Sequence, residues 1–278
     1  MKIGIVGLGL IGGSLAIAFR EKGLEVLGVS RKATTCETAL AKGIVTRAST
    51  EMGLLQTADV VFLCAPIKAI VPTAQALIPH LKPTTILTDV ASVKGEIVQA
   101  IAPLWPNFVG GHPMAGTAEQ GIDAAIPGLF IDAPYVVTPT PETSPDAVET
   151  LKGLIALLQS RFYCCAPQIH DQAVAWISHL PVYVSASLIA ACGSETNSEI
   201  LQMAQAIASS GFRDTSRVGG GNPELGLMMA QGNRQALLNS LAGYRAQLDQ
   251  AIAFIEQEDW EAIASLLATT QQQRPSFL

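Results

Sequence analysis

The chain has 278 residues, close to two domains of roughly 150 residues each, and its 49% apolar content excludes a disordered chain. Its 17 basic and 23 acidic residues leave a net charge of −6 with no basic run, which excludes general nucleic-acid binding through a polyphosphate backbone. Charged residues make up only 14% against roughly 25% in typical soluble proteins, so part of the surface is expected to lie against a partner subunit.

The first predicted strand, Lys2–Val6, runs directly into Gly7-Leu8-Gly9-Leu10-Ile11-Gly12. The uncharged stretch from Ile3 to Phe19 behind Lys2 has the outline of an export signal, but Gly4, Gly7, Gly9, Gly12 and Gly13 oppose a signal helix. Their spacing fits a dinucleotide-binding loop instead. Gly7 would permit the tight turn, Gly9 the approach of a pyrophosphate to the backbone, and Gly12 the close packing of the next helix, whose first amides, from Leu10 and Ile11 onward, face the anion. A glycine-rich turn without a ligand is the competing reading.

The second strand, Glu25–Val29, ends in Ser30, Arg31 and Lys32. A carboxylate at this place would bind the 2′-hydroxyl of an NAD ribose. A hydroxyl donor and a guanidinium, with Thr34 and Thr35 nearby, suit a 2′-phosphate instead, so NADP is the expected cofactor. The third strand, Asp59–Ala65, brings Ala65 and Pro66 to the same edge, where a ligand of a parallel sheet lies.

Further strands are expected at Thr85–Val90, Asn107–Gly111, Tyr135–Thr138 and Arg161–Cys165, with helices between them. The strand from Thr85 closes on Asp89-Val90-Ala91-Ser92-Val93-Lys94, and that from Asn107 closes on Gly110 to Thr117. In the second of these Pro113 biases His112 toward an extended backbone. A neutral imidazole there could take a hydroxyl proton while Ser92 fixes its tautomer, against the alternative of a satisfied, partly buried histidine. His80 is expected to be solvated, and His170 to serve as a cap-like residue at the start of a helix.

Prolines between Thr138 and Pro145 suggest a linker, but the helix and strand that follow extend the same sheet, so the domains are placed at 1–166 and 167–278. After Pro167 strand signals stop. Leu237, Leu241, Tyr244, Leu248, Ile252 and Ile255 recur at helical steps. Gln172–Ser194 carries no formal charge over 23 residues, long enough for a bilayer, yet His179, Pro181 and its serines suit a helix buried between subunits. The run at Gln271–Gln273 reads as a fraying tail. Five cysteines lack metal or redox spacing and are expected as buried free thiols in a reducing cytoplasm, with Cys164 and Cys165 on opposite strand faces.

Taken together, the glycine loop, Asp89–Lys94, His112–Thr117 (HPMAGT), Ser178-His179-Leu180-Pro181 and Gly211–Arg217 resemble the prephenate/arogenate dehydrogenases of tyrosine biosynthesis over essentially the whole chain in order. HPMAGT and the Arg217 segment are the specific motifs. The resemblance implies an α/β Rossmann-type domain with a mainly parallel sheet followed by an all-α dimerisation domain. It implies His112 as catalytic base, Ser92 as its hydrogen-bonding partner, Arg217 gripping a substrate carboxylate and His179 near the substrate. Arg213 is read as a packing residue or a partner of Asp214. The implied reaction is oxidative decarboxylation of arogenate or prephenate with NADP and no metal, by a soluble cytoplasmic homodimer that binds neither membrane nor nucleic acid. Many prephenate-specific relatives carry a second histidine where this chain has Val182, which favours arogenate. Other two-domain NADP oxidoreductases, of hydroxyacid dehydrogenase or imine reductase type, and a non-catalytic nucleotide-sensing dimer are the alternatives. The hydroxyacid enzymes place a catalytic lysine in the helical domain, whereas no lysine follows Lys152 here.

Overall fold

A computed structural model describes residues 1–117 and 119–278 of the chain. Strands β1 (Lys2–Val6), β2 (Glu25–Val29), β3 (Arg47–Ser49), β4 (Val60–Leu63), β5 (Ile86–Asp89), β6 (Phe108–Pro113), β7 (Pro134–Thr138) and β8 (Arg161–Cys164) form one eight-stranded sheet in the order β3-β2-β1-β4-β5-β6-β7-β8. Every pairing is parallel except that of β6 with β7. Helices α1 (Leu10–Glu21), α2 (Ala33–Ala41), α3 (Ile67–Leu77), α4 (Gly95–Ile101) and α5 (Pro145–Leu157) accompany the sheet.

The central strands are apolar on both faces because helices cover both. Ile3, Ile5, Val60 and Phe62 pack with Leu15 and Phe19 of α1 on one side. Val6, Val61 and Leu63 pack with Ile70 and Leu77 of α3 on the other. β3 escaped the sequence reading because its three residues, Arg-Ala-Ser, carry no apolar signature; it exists by pairing with Leu27–Val29. β6 runs further than expected. Its parallel pairing with β5 covers only Phe108 and Val109, but the antiparallel ladder with β7 continues through His112↔Val136 and Pro113↔Tyr135, so His112 sits within a strand rather than after one.

The remaining chain is helical, with α6 (Pro167–Val174), a π-helical turn at Ala175–His179, α7 (Leu180–Gly193), α8 (Ser198–Ile207), α9 (Ser210–Ser216), α10 (Pro223–Gly232), α11 (Arg234–Glu256) and α12 (Trp260–Gln273). The glutamine run at 271–273 therefore completes α12 instead of fraying. α6, the π-turn and α7 form one 27-residue helix, apolar enough by composition to cross a bilayer. Its buried side, however, carries His170, Asp171 and His179 and packs on α4 and α11. The π-turn has a local cause. Pro181 has no N–H for the carbonyl four residues back, and its ring crowds that carbonyl, so the preceding turn widens.

The outer faces of these helices are unusually apolar for surface. Trp176 and Ile177 are 51% and 56% exposed, and Ile200, Met203 and Ile207 form a bare stripe along α8. Tyr244, Leu248, Ile252 and Ile255 do the same along α11. All five cysteines are free, but the expectation that they are buried holds only for Cys36; Cys64 and Cys165 are partly covered, and Cys164 and Cys192 are exposed. Cys164 is open because β8 is an edge strand, and Cys192 because the last turn of α7, 189–193, is exposed on every side.

Candidate active site

The turn from β1 to α1 is built as its glycines require. Gly7 has φ of +100°, and a Cβ there would stand 2.3 Å from the Cys64 carbonyl oxygen. Gly12 lies so close to the turn that its Cβ would fall 2.0 Å from the Gly7 oxygen. Gly9 is different, since a Cβ there would meet nothing within 4 Å. It opens α1 with no side-chain cap and no acidic residue in the first turn, so the amides of the first turn, including Leu10 and Ile11, remain for an external anion. Ala65 and Pro66 follow Cys64 just past the end of β4, with the Ala65 amide beside Gly7, and Pro66 is the N-cap of α3. β1 and β4 flank the point where the strand order reverses, the usual ligand crevice of such sheets. The residues present thus fit a dinucleotide pyrophosphate.

Beyond the neighbouring β2, the Ser30 amide donates to the Ser49 carbonyl at 3.2 Å. Thr35 is half-buried in α2, and Arg31 is exposed. Arg31 has no ion pair among the described residues, and no carboxylate follows β2. The end of β2 thus presents a cation and no carboxylate to solvent.

The second cluster lies at the C-terminal ends of β5 and β6. Asp89, with no exposed surface, accepts from the amides of Ala91 (2.9 Å) and Gly111 (3.1 Å) and pairs with the Lys94 ammonium, which also donates to the Gly111 carbonyl at 2.7 Å. This buried pair fastens the end of β5 to β6 next to His112. His112 Nδ1 lies 2.8 Å from His170 Nε2, with the rings edge to face at 69°. His112 Nε2 has no partner among the described residues. Burial pushes the His112 pKa well below the ordinary 6.5, and His170, Lys94 and His179 push the same way. The imidazole is therefore neutral at pH 7, with one nitrogen uncommitted.

Ser92 does not hold the place expected for it. It is half-buried in the turn before α4 and makes no hydrogen bond to His112 among the described residues; α6 delivers His170 to Nδ1 instead. His170 is likewise no cap. Ala166 is the N-cap of α6, and His170 points inward with 2% of its surface exposed. Its Nδ1 is 2.8 Å from Asp171 Oδ1. Sequence reasoning missed both residues, although Asp171 stands out as the last charge before the uncharged stretch. His80 is exposed as expected.

His179 closes the π-turn with no exposed surface. Asn233 Nδ2 donates to the Asp171 carbonyl at 2.7 Å and lies 3.3 Å from His179 Nδ1. With Nδ1 as acceptor, His179 carries its hydrogen on Nε2, which has no partner. Burial brings its pKa down to about 4. His179 is thus a neutral, buried donor without an acceptor, an arrangement costly to a protein unless a ligand supplies one. Arg217 follows α9 and is exposed; no hydrogen bond or ion pair joins it to the histidines. Its segment is tied to α7 by Ser185, which donates to the Thr215 carbonyl at 2.8 Å and accepts from the Gly219 amide at 2.9 Å. Arg213 pairs with Asp214 at 3.2 Å on the surface.

The chain matches the family models "Prephenate dehydrogenase, nucleotide-binding domain" over residues 15–164 and "Prephenate dehydrogenase, dimerization domain" over residues 166–269. It is similar to the arogenate dehydrogenase of Synechocystis, whose crystal structure matches with 55% identity and a TM-score of 0.95, covering 100% of both chains. It is 30% identical over 277 residues to the prephenate dehydrogenase of Bacillus subtilis (strain 168), spanning 97% of this chain and 74% of the relative. The prephenate dehydrogenase of A. aeolicus, crystallised with hydroxyphenyl propionate and NAD+, shares the fold with a TM-score of 0.92 at 24% identity, over 100% of this chain and 98% of that one.

Proposed function

The chain belongs to the prephenate dehydrogenase family, and from that premise we propose that it converts arogenate to tyrosine by NADP-dependent oxidative decarboxylation. The observation that carries this reading is His112, neutral, buried and free at Nε2, at the strand ends beside the dinucleotide loop. A nicotinamide cofactor held by the glycine loop would supply the hydride acceptor for the ring carbon that bears the hydroxyl. His112 Nε2 takes the hydroxyl proton, and loss of the ring carboxylate as CO₂ then makes the ring aromatic. Ser92, whose hydroxyl is uncommitted among the described residues, is a second contact for the reacting hydroxyl. The unpartnered N–H of His179 offers a neutral donor to a substrate oxygen, and Arg217 supplies the cation for a carboxylate. A silent nucleotide sensor would leave the free nitrogens of His112 and His179 without a task.

Gly7, Gly9, Leu10, Ile11, Gly12, Ala65 and Pro66 would hold the pyrophosphate side of the cofactor, and Ser30, Arg31 and Thr35 the 2′-phosphate. Arg31→Asp is expected to weaken NADP binding far more than NAD binding, because a carboxylate repels the phosphate while offering the ribose an acceptor. Titration with both nucleotides checks this, and equal losses would remove Arg31 from the assignment.

Arogenate is favoured over prephenate by the 55% identity to an arogenate dehydrogenase and by Val182, which stands where a further, potentially cationic histidine would face the substrate's ammonium. The deciding experiment compares kcat/KM for the two compounds at saturating NADP. Arogenate should win by tenfold or more, and a prephenate preference of that size would overturn the substrate choice. In the same assay Arg217→Ala should cost about 2 kcal/mol, roughly thirtyfold in KM, as expected for a charged hydrogen bond. Unchanged KM and kcat would exclude it.

We place the domain boundary at Ala166 and propose a cytoplasmic homodimer with no membrane or nucleic-acid role, in a compartment that keeps the five thiols reduced. The apolar faces of α7, α8 and α11 are the proposed interface. Sedimentation at low protein concentration should show two chains together, and a stable species of 29.2 kDa would refute the dimer.

A further inference from the structure

We propose that His170 and Asp171 form a positioning relay that reaches from the helical part of the chain into the sheet and fixes His112 as the Nδ1–H tautomer. The relay rests on the reading of His112 as the catalytic base. It does not rest on the identity of the substrate.

The direction of the relay follows from hydrogen-bond valence. Asp171 is acceptor-only as a carboxylate, and its oxygens already face three donors. Oδ1 accepts from the Lys94 amide at 2.8 Å and faces His170 Nδ1 at 2.8 Å, while Oδ2 accepts from the Gly95 amide at 2.7 Å. A proton on His170 Nδ1 is therefore required. The relay as proposed gives His170 one ring proton, which leaves Nε2 with a lone pair, and Nε2 is the atom 2.8 Å from His112 Nδ1. His112 must then donate from Nδ1, and its Nε2 is left as the lone pair that can accept a proton. Were either link reversed, His112 would present an N–H to the substrate hydroxyl and could not act as a base. Asn233, holding the Asp171 carbonyl, keeps this stretch of α6 in place from the α11 side.

The same carboxylate also caps α4, since it takes the two amides at that helix start. α4 begins immediately after the turn that carries Ser92 and the Lys94–Asp89 pair. Docking of α6 on α4 and arming of the base are thus one event, made by one side chain. The domain that does not contain the base decides whether it is basic.

The chain has only four histidines, so ¹⁵N-histidine labelling of the NADP-saturated protein resolves the tautomers directly, with His112 identified by loss of its signals in His112→Asn. The expected spectrum has a protonated Nδ1 and an unprotonated Nε2 at His112. A His112 protonated at Nε2 in the parent protein overturns the relay without any further variant. In His170→Phe, which removes the acceptor, the His112 signals should shift toward the Nε2–H form. Turnover should fall on the order of 10²-fold with KM and NADP affinity little changed. His170→Gln, which restores an acceptor, should recover at least tenfold of that loss. A His170→Phe protein that keeps the parental tautomer, or a Gln variant no better than Phe, overturns the proposal. The nitrogen spectra need no turnover, so failure of the substrate assignment and failure of the relay are separate results.

Discussion

Substitution of His112 by Asn is expected to lower turnover by about 10³-fold while leaving NADP binding intact, because general-base catalysis commonly contributes 10²- to 10⁴-fold. The amide fills the same place in β6 but has no lone pair of comparable basicity. The pH dependence gives a sharper signature. A histidine base works only when neutral, and burial together with His170, Lys94 and His179 holds the His112 pKa well below 6.5. The plateau of activity should therefore extend below pH 6.5, and the acidic limb that ends it should disappear in the variant. A His112→Asn protein with more than a tenth of the parental rate would exclude the assignment. The same burial has a sign for folding. In the unfolded chain histidines take up protons near pH 6.5, whereas folded His179 resists down to about 4 and His112 resists as well. Their contribution to stability is present above pH 6.5 and is lost as the pH falls toward 4.

Lys94→Met should be the most damaging single change to stability. It leaves the Asp89 carboxylate with no exposed surface and no counter-charge, and breaking a buried ion pair from one side typically costs roughly 3–5 kcal/mol. At about 2–4 °C per kcal/mol for a chain of this size, the melting temperature should drop by about 10 °C. Asp89→Asn combined with Lys94→Met removes the stranded charge and should recover part of the loss, although only one of the Ala91 and Gly111 amides, which donate to different carboxylate oxygens, keeps an acceptor. A single variant that melts within about 2 °C of the parent would show that water or rearrangement replaces the ammonium.

The fold is readable where local pattern and tertiary environment agree. β1, β2 and β4 are mainly apolar runs covered on both faces, and the glycine loop names its own turn. What stayed hidden depends on distant partners. β3 has no pattern of its own. The antiparallel ladder that extends β6 through His112 is fixed by β7, and the residues between Gly116 and Pro134 show no strand period to announce it. His170 read as a cap because its role is defined by His112, 58 positions away. The π-turn was half-visible, since Pro181 inside a helical stretch demands some distortion, but which turn absorbs it is set by packing on α11. Val182 carries meaning only against a family pattern, whereas Asp171 carries its own signal, as the lone carboxylate just before a charge-free stretch.

The eight-stranded sheet leaves two edges, and both are poor templates. β3 offers only three residues beginning with Arg47, and β8 four beginning with Arg161, whereas strand-by-strand accretion needs a long, flat, uncharged border. Aggregation through backbone pairing is therefore blocked at both ends of the sheet, while the bare apolar stripes lie on helices, which have no free backbone groups to extend a growing ribbon. A surface that is sticky only along helices can close on a second copy and stop, so the protein can carry a large hydrophobic contact face without becoming a seed for fibres.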